Sequence, residues 1–371
     1  MAIDVRVGAV RARAYTVPTD LPESDGTASW DSTTIVVVHV EGGGKAGVGY
    51  TYAGAPAAKL VDGKLAPEVE GRDAMDPPGA WRAMQTAVRN LGRAGLAATA
   101  ISAVDFALWD QKAKLLDVSL ACLLGRFRDD VPIYGSGGFT SYTDRQVAEQ
   151  LAGWVERDGC QWVKMKIGTD PERDPARVAA AKSAIGAATL FVDANGAYGV
   201  KQASHLGRMF ATEQDVRWFE EPVSSDDLAG LRRVRNGVPP PMEVAAGEYG
   251  YEPDYFRRML AAEAVDVQQA DATRCGGVTG FLQAAALCEG FHVDLSAHCA
   301  PALHRHLGCV APRFRHCEWF HDHVRIERML FDGAPVPRQG RIISDAGRPG
   351  LGLALKQQDA ERFAVGAEKL E

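Results

Sequence analysis

The sequence predicts an α/β protein whose larger part, from about residue 126 to 330, is a parallel (β/α) barrel. Strand-like and helix-like patterns alternate there, and successive strands start about 23 to 31 residues apart, the spacing of repeated βα units. Charged residues follow nearly every strand, as expected where a barrel collects the carboxyl ends of its strands around one mouth. An open doubly wound sheet is the alternative, but it would not naturally carry charge at so many strand ends.

The first 125 residues lack this repeat. A strand-like alternation up to residue 17 is followed by a polar, proline-containing segment, 18–32, that predicts a long loop. Residues 34–40 and 47–52 have the pattern of a hairpin, and 80–91 and 99–116 that of helices. The glycines at 42–47 fit a dinucleotide-binding pattern, but a strand rather than a helix follows them, which favours a hairpin turn.

From residue 131 the elements are regular. Eight strands are predicted, at 131–134, 162–167, 189–193, 216–220, 242–247, 265–269, 293–297 and 317–320. Seven helices are predicted between them, at 143–158, 174–185, 200–211, 226–235, 252–262, 278–289 and 301–309. Eight strands with seven helices predict a barrel whose last helix is replaced. The turn-rich tail from about residue 331 ends in a short amphipathic piece, 359–363, that we expect to pack on the N-terminal lobe.

Composition excludes several classes of partner. A net charge of −7 gives no electrostatic reason to bind nucleic acid or an anionic membrane. Seven cysteines without C-x-x-C spacing indicate reduced thiols, and neither a signal peptide nor a membrane-spanning apolar run is evident. We therefore expect a cytoplasmic protein with neither a nucleic-acid nor a membrane partner. A small-molecule carboxylate substrate and a homo-oligomer are separate expectations, which do not follow from composition.

Two lysines stand out in the second predicted strand. Lys164 and Lys166 are two residues apart, so their side chains point to the same face. On an edge strand such a pair would only discourage aggregation. Inside a closed barrel, however, packing gives no reason for two lysines, which favours a functional role.

Charged residues occur at seven equivalent places of the repeat, near the carboxyl ends of the strands. In strand order they are Lys166, Asp193, Glu220, Glu248, Asp271, His298 and Glu318. Each alone has a structural explanation, such as a turn former or a bonded core histidine. Together they predict an active site in the barrel mouth.

Three of these residues, Asp193, Glu220 and Glu248, are carboxylates on consecutive strands. Packed together they would repel one another and raise their pKa values unless a cation lay between them. Oxygen ligands from few side chains, with room for water and substrate oxygens, suit Mg²⁺. The trio contains no cysteine or histidine, which argues against zinc.

The remaining groups suggest acid–base chemistry. Lys166 and His298 would face each other across the metal, and we expect Lys164 and Mg²⁺ to lower the pKa of Lys166. Asp271 could fix the tautomer of His298. A base on each side suits removal of a proton from the carbon next to a carboxylate, with the metal stabilising the enolate. His321 and His323 could also line the mouth, as weaker candidates.

Several motifs identify a family. They are Lys164-x-Lys166, Asp193-Ala194-Asn195-Gly196, Phe219-Glu220-Glu221-Pro222, Gly247-Glu248, Asp271 with Gly276-Gly277, and Ser296-Ala297-His298. With them the chain resembles the enolase superfamily, in particular its mandelate racemase subgroup, over almost its whole length. The resemblance implies a modified TIM barrel of (β/α)7β type at 126–330, under an α+β capping domain formed by 1–125 and completed by about 331–371. Mobile loops at 18–32 and after Thr51 would close over the substrate.

The resemblance also implies a role for each residue. Asp193, Glu220 and Glu248 would be the Mg²⁺ ligands, Lys166 one base and His298 with Asp271 the other, while Lys164 and Glu318 would hold the substrate carboxylate with Asn195 nearby. Where the subgroup has lysine three residues after Asp271, this chain has Arg274, which we interpret as a structural variant.

The expected function is Mg²⁺-dependent abstraction of the α-proton of a hydroxy carboxylate to give an enolate. Members of the subgroup with these bases mostly dehydrate acid sugars, so we expect dehydration of an aldonate or aldarate to a 2-keto-3-deoxy acid. The alternative is a racemase or epimerase of a 2-hydroxy acid. A barrel aldolase that uses Lys166 as a Schiff base and a non-catalytic sugar-acid-binding protein are less favoured.

Overall fold

The computed structural model describes residues 5–366 of the chain. Its N-terminal part begins with an antiparallel sheet in the order β1-β2-β3, formed by β1 (Val10–Ser24), β2 (Ser29–Gly42) and β3 (Lys45–Tyr52). The helical segments that follow are α1 (Pro56–Leu60), a π-helical turn (Val61–Leu65), α2 (Ala66–Val69), α3 (Pro77–Ala87), α4 (Leu96–Leu115) and α5 (Leu120–Leu123). The first three and α4 pack against the sheet, whereas α3 and α5 pack against α4. The glycines at 42–47 lie at the β2–β3 hairpin, as predicted.

The predicted long loop at 18–32 is wrong. These residues form the outer half of the β1–β2 hairpin, and only a short turn separates the two strands. Pro18 and Pro22 suggested a loop because proline cannot donate a hydrogen bond to a sheet. Proline is tolerated here because β1 is an edge strand whose register shifts between Pro18 and Glu23.

The tip of this hairpin rests on the barrel. The backbone oxygen of Asp25 accepts hydrogen bonds from Thr169 Oγ1 at 2.7 Å and from Thr140 Oγ1 at 2.9 Å. Gly26 lies so close to the barrel that a Cβ atom there would come within 2.4 Å of the Ala194 oxygen. The sheet therefore covers the barrel mouth.

Within residues 5–366, eight parallel strands form a closed barrel: β4 (Asp130–Gly137), β5 (Trp162–Lys166), β6 (Thr189–Asp193), β7 (Val216–Glu220), β8 (Glu243–Ala246), β9 (Val267–Ala270), β10 (Asp294–Ala297) and β11 (Phe314–Phe320). Each pairs with the next, and β11 pairs with β4 to close the ring. The connecting helices are α6 (Asp144–Glu156), α7 (Asp174–Ala184), α8 (Val200–Glu213), α9 (Leu228–Gly237), α10 (Pro253–Ala261), α11 (Gly277–Gly290) and α12 (Pro301–Gly308). The predicted fold class is confirmed.

A further helix, α13 (His321–Leu330), follows the last barrel strand. It contacts the β1–β2–β3 sheet, which we call the capping sheet. Tyr50 Oη donates a hydrogen bond of 2.5 Å to Glu327 Oε1, and the ring of Tyr52 stacks on His323. This helix was not predicted from the sequence.

The chain then returns to both parts of the molecule. After β12 (Phe331–Asp332), strand β13 (Arg341–Ile343) adds to β4 of the barrel, and β14 (Ala354–Leu355) pairs with β12. Helix α14 (Gln357–Glu361) leads back to the N-terminal sheet, where Thr16 N donates to Phe363 O at 2.8 Å. Residues 1–4 and 367–371 of the expected capping domain lie outside the described residues.

The structure also bears on membrane insertion. Among residues 5–366, no helix is both long and apolar enough to cross a bilayer.

Candidate active site

A cavity of about 410 Å³ lies between the capping sheet and the barrel mouth. Its lining includes Trp30 and Tyr52 from the sheet and Lys166, Glu248 and His298 from the barrel. Because the β1–β2 hairpin bonds to barrel loops beside the mouth, the cavity has a roof from one part of the chain and a floor from the other.

The barrel topology brings the seven charged strand-end residues to the same side of the barrel. Lys166, Asp193 and Glu220 are the last residues of β5, β6 and β7. Asp271 and His298 directly follow β9 and β10. Glu248 follows β8 by two residues, and Glu318 lies within β11. Parallel strands of a barrel end on one side, so side chains far apart in sequence become neighbours.

The carboxylate trio is compact and buried. Asp193, Glu220 and Glu248 each place an oxygen within 4.8 Å of the others. Burial and the Asp193 charge raise the pKa of Glu220 to about 8. The predicted rise does not extend to the other two carboxylates. Burial raises the pKa of each, but nearby positive charges, led by Lys166 at Asp193 and by His298 at Glu248, outweigh burial and lower it. Glu248 Oε2 is buried and accepts no hydrogen bond from the described residues. An all-oxygen donor set with an unsatisfied buried oxygen fits Mg²⁺.

Two lysines neutralise part of this charge. Lys166 Nζ lies 2.5 Å from Asp193 Oδ2, and Lys164 Nζ lies 2.6 Å from Glu220 Oε1 and 2.8 Å from Glu318 Oε1. Burial lowers the pKa of Lys166, and so does Lys164, but the Asp193 charge outweighs them and the pKa is raised. The lowering of this pKa that is expected when Mg²⁺ is bound stays a prediction. A cation bound beside Asp193 would oppose the effect of that carboxylate.

His298 is held on one side by a carboxylate. Its Nδ1 lies 2.8 Å from Asp271 Oδ2, and Asp271 Oδ1 accepts hydrogen bonds of 2.7 Å from the backbone and the hydroxyl of Thr273. This pairing directs Nε2 toward the cavity, 3.4 Å from Glu248 Oε2. Burial lowers the pKa of His298, but the charges of Glu248 and Glu318 outweigh burial and raise it.

The predicted substrate-binding residues differ in position. Asn195 lines the cavity, and its Oδ1 accepts no hydrogen bond from the described residues. Lys164 and Glu318 are fully buried, bond to each other, and do not line the cavity. Their contact with a substrate carboxylate stays a prediction. In the structure, the charge of Lys164 acts on Glu220.

Several cavity residues escaped the sequence analysis. Trp30 and Tyr52 lie in or beside the segments expected to close over the substrate, but were not named because no local pattern shows which of their side chains face the barrel. Cys299 could have been found, since it directly follows a strand-end histidine. Of the two weaker histidine candidates, His323 lines the cavity, whereas His321 does not and pairs with Asp20 instead.

Arg274 does more than the structural role assigned to it. Its Nη1 lies 3.1 Å from Glu248 Oε1, and its guanidinium covers the ring of Tyr249 at the cavity wall. The arginine therefore contributes positive charge beside one member of the carboxylate trio.

Comparisons with known proteins identify the family of this chain. Residues 9–125 match the mandelate racemase / muconate lactonizing enzyme N-terminal domain, and residues 146–360 match the enolase C-terminal domain-like family. The chain belongs to the enolase superfamily, in its mandelate racemase subgroup. The family prediction is confirmed, and because its relatives are dehydratases, cycloisomerases and racemases, the chain is an enzyme.

Characterised relatives act on acid sugars and their lactones. The chain is 33% identical to D-galactarolactone cycloisomerase of Agrobacterium fabrum over 299 residues, 79% of this chain and 78% of that protein. It is 32% identical to L-talarate/galactarate dehydratase of Salmonella typhimurium over 323 residues, 84% of this chain and 78% of that protein.

Solved structures agree over nearly the whole chain. A mandelate racemase/muconate lactonizing enzyme-like protein from Rubrobacter xylanophilus has 50% identity and a TM-score of 0.95, covering 97% of this chain and all of that one. A racemase from Streptomyces coelicolor with bound magnesium has 29% identity and a TM-score of 0.90, with 97% and 100% coverage. The cofactor prediction of Mg²⁺ is confirmed for this family member.

Proposed function

We propose that this enzyme removes the α-proton of a hydroxy carboxylate to give an enolate, and that its most favoured overall reaction is dehydration of an acid sugar. One observation carries the proposal. Lys166 contacts the Asp193 end of the carboxylate trio, His298 contacts the Glu248 end, and both line the same cavity. A substrate held at the trio would thus have a base at each end.

Asp193, Glu220 and Glu248 are the residues that would hold Mg²⁺. When bound, the ion supplies positive charge that stabilises the negative charge developing on the substrate carboxylate as the α-proton leaves. The trio offers only oxygen atoms as ligands, and Glu248 Oε2 accepts no hydrogen bond from the described residues.

The bases then divide the proton transfers. Lys166 Nζ, in its neutral form, accepts the α-proton, and Asp193 stabilises the ammonium that results. His298 is positioned by Asp271, so that Nε2 faces the cavity and can donate a proton to a departing β-hydroxyl. Loss of that hydroxyl as water leaves an enol, which tautomerises to the 2-keto-3-deoxy acid. We propose that Asn195, Lys164 and Glu318 orient the substrate carboxylate.

Racemisation is the second candidate, because the same two-ended arrangement supports it. If Lys166 removed the proton from one face and His298 returned one to the other, the product would be the opposite stereoisomer. The magnesium-bound relative from Streptomyces coelicolor is described as a racemase, and the relative from Salmonella typhimurium as an acid sugar dehydratase. The dehydratase and cycloisomerase relatives favour an acid sugar as the substrate.

A substrate panel tests the proposal. The Mg²⁺-loaded enzyme is incubated with aldonates, aldarates and aromatic 2-hydroxy acids in D₂O, and 2-keto acid formation and α-proton exchange are followed by NMR. We expect an acid sugar to yield a 2-keto-3-deoxy acid. Exchange and inversion without loss of water would favour the racemase. If no member of the panel exchanges its α-proton, the proposal fails.

The remaining alternatives are less supported. The buried carboxylate trio argues against an aldolase that uses Lys166 as a Schiff base, because Schiff-base chemistry does not need a metal site. Borohydride trapping in the presence of a carbonyl substrate would reveal such an aldolase. We also propose a homo-oligomer, which sedimentation velocity would test.

A further inference from the structure

The proposed base His298 and two other side chains that can bind metals, Cys299 and Glu318, lie close together. Cys299 directly follows His298 and has a positive φ of 51°, a conformation that is uncommon for residues other than glycine. Its Sγ lies 3.3 Å from His298 Nε2 and 3.4 Å from Glu318 Oε2. The third side of this triangle, from His298 Nε2 to Glu318 Oε2, measures 3.8 Å.

We propose that His298, Cys299 and Glu318 form a second metal site, which takes a thiophilic divalent ion such as Zn²⁺. Bonds of about 2.3 Å to sulfur and about 2.0–2.2 Å to nitrogen and oxygen, at tetrahedral angles, place the ligand atoms about 3.3–3.6 Å apart. The two sides that end at sulfur lie in this range, and the nitrogen–oxygen side, expected at about 3.3–3.5 Å, is longer by about 0.3–0.5 Å.

Neighbouring residues orient the ligand atoms of His298 and Glu318 by hydrogen bonds. Asp271 holds His298 Nδ1, which is the partner arrangement that orients metal-binding histidines and leaves Nε2 free to coordinate. Lys164 and Ser136 both bond to Glu318 Oε1, at 2.8 and 2.6 Å, whereas Oε2 accepts the backbone N–H of Cys299 at 3.0 Å and keeps a second lone pair for a metal. His298 and Cys299 line the cavity, which gives the ion a route in.

The donor set separates this site from the carboxylate trio. Mg²⁺ prefers the oxygen ligands Asp193, Glu220 and Glu248, whereas a thiolate and an imidazole select zinc and similar ions. Binding forms a zinc–sulfur bond and releases the thiol proton of Cys299 to solvent. The charges of the thiolate and of Glu318 then balance the ion.

Occupation of the site has a consequence that rests on the proposed function. A metal on His298 Nε2 occupies the atom that carries the donated proton in the proposed mechanism. Zinc would therefore inhibit the Mg²⁺-loaded enzyme. Replacing Cys299 by Ser should raise the zinc concentration for half-inhibition at least tenfold.

Cobalt spectroscopy tests the site without any substrate. The full-length, Mg²⁺-saturated protein is titrated with Co²⁺, whose bond to a thiolate gives a charge-transfer band in the near ultraviolet. We expect the band to saturate at one equivalent in the wild type and in Cys122→Ser, which changes an exposed cysteine. It should be lost in Cys299→Ser. Its absence from the wild type, or its persistence in Cys299→Ser, would overturn the proposal.

X-ray absorption of the zinc-loaded wild type needs no variant and covers the case in which Cys299→Ser does not fold. We expect one sulfur at about 2.3 Å with nitrogen or oxygen ligands at about 2.0 Å. A shell of oxygen and nitrogen alone would contradict the site. Because neither spectroscopic readout depends on turnover, a positive result with no activity on the acid sugar panel would leave the metal site standing and refute only the proposed function.

Discussion

The Lys164 side chain is the strongest test of how the site is held together. It is fully buried and contacts Glu220 at 2.6 Å, Glu318 at 2.8 Å and Asp193 at 3.4 Å. Lys164→Met keeps much of the volume of the side chain but leaves these carboxylates without their shared cation. Removing one partner of a buried ion pair costs about 3–5 kcal/mol, so we expect a loss of this size in the free energy of unfolding.

The assay is urea unfolding at neutral pH, with and without Mg²⁺. The control is Lys182→Met, since Lys182 pairs with Asp215 at 3.3 Å in a partly exposed position. A pair of that kind contributes about 0–1 kcal/mol. Mg²⁺ should restore part of the loss in Lys164→Met and none in the control. If Lys164→Met is within about 1 kcal/mol of the wild type without Mg²⁺, the charge balance inferred here is wrong.

Three further predictions concern the hairpin and the metal. Gly26→Ala should lift the hairpin tip from the barrel and increase cleavage of the hairpin by protease. The control Gly63→Ala, where no atom lies within 4 Å of the added Cβ, should not. Equal cleavage of the two variants would argue against contact between the hairpin tip and the barrel. Burial raises the pKa of Glu23 to about 8, above its value in the unfolded chain, so the contribution of this group to stability falls as pH rises toward 8. Relative to the wild type, Glu23→Gln should therefore gain up to about 1.4 kcal/mol per pH unit between about pH 5 and 8, and a flat difference in urea unfolding would refute the shift. Glu220→Gln should abolish the Mg²⁺-dependent stabilisation, which for the wild type is about 2.7 kcal/mol at a hundredfold excess over Kd, and an unchanged melting shift would remove Glu220 from the metal site.

The sequence predicted the barrel well because its signals are local and repeated. The strands ending at Asp193 and Glu220 were predicted with their observed bounds. Both have a short apolar run closed by a carboxylate, and the repeat then fixes on which side of the barrel the carboxylates lie. The helical stretch from Pro56 to Val69 was missed because two prolines and Gly63 interrupt it. Its packing against the capping sheet compensates for those weak helix formers.

The sequence predicted which residues belong to the site better than it predicted the ion pairs between them. Strand ends identify Lys166 and His298, but no spacing reveals that Asp193 forms an ion pair with the lysine. Likewise, the residues that roof the cavity, such as Trp30, come from a sheet whose position over the barrel depends on tertiary packing. Whether a charge raises or lowers a neighbouring pKa depends on distances that only the folded chain provides.

The most direct test of the two-base mechanism is deuterium exchange at the substrate α-carbon in D₂O, measured by NMR for each stereoisomer. The Mg²⁺-loaded variants are His298→Asn, Lys166→Ala and Asp271→Asn. We predict that His298→Asn exchanges only the stereoisomer served by Lys166, that Lys166→Ala exchanges only the opposite one, and that Asp271→Asn resembles His298→Asn more mildly. If His298→Asn and Lys166→Ala exchange the same stereoisomer, the two residues do not act on opposite faces and the mechanism is wrong.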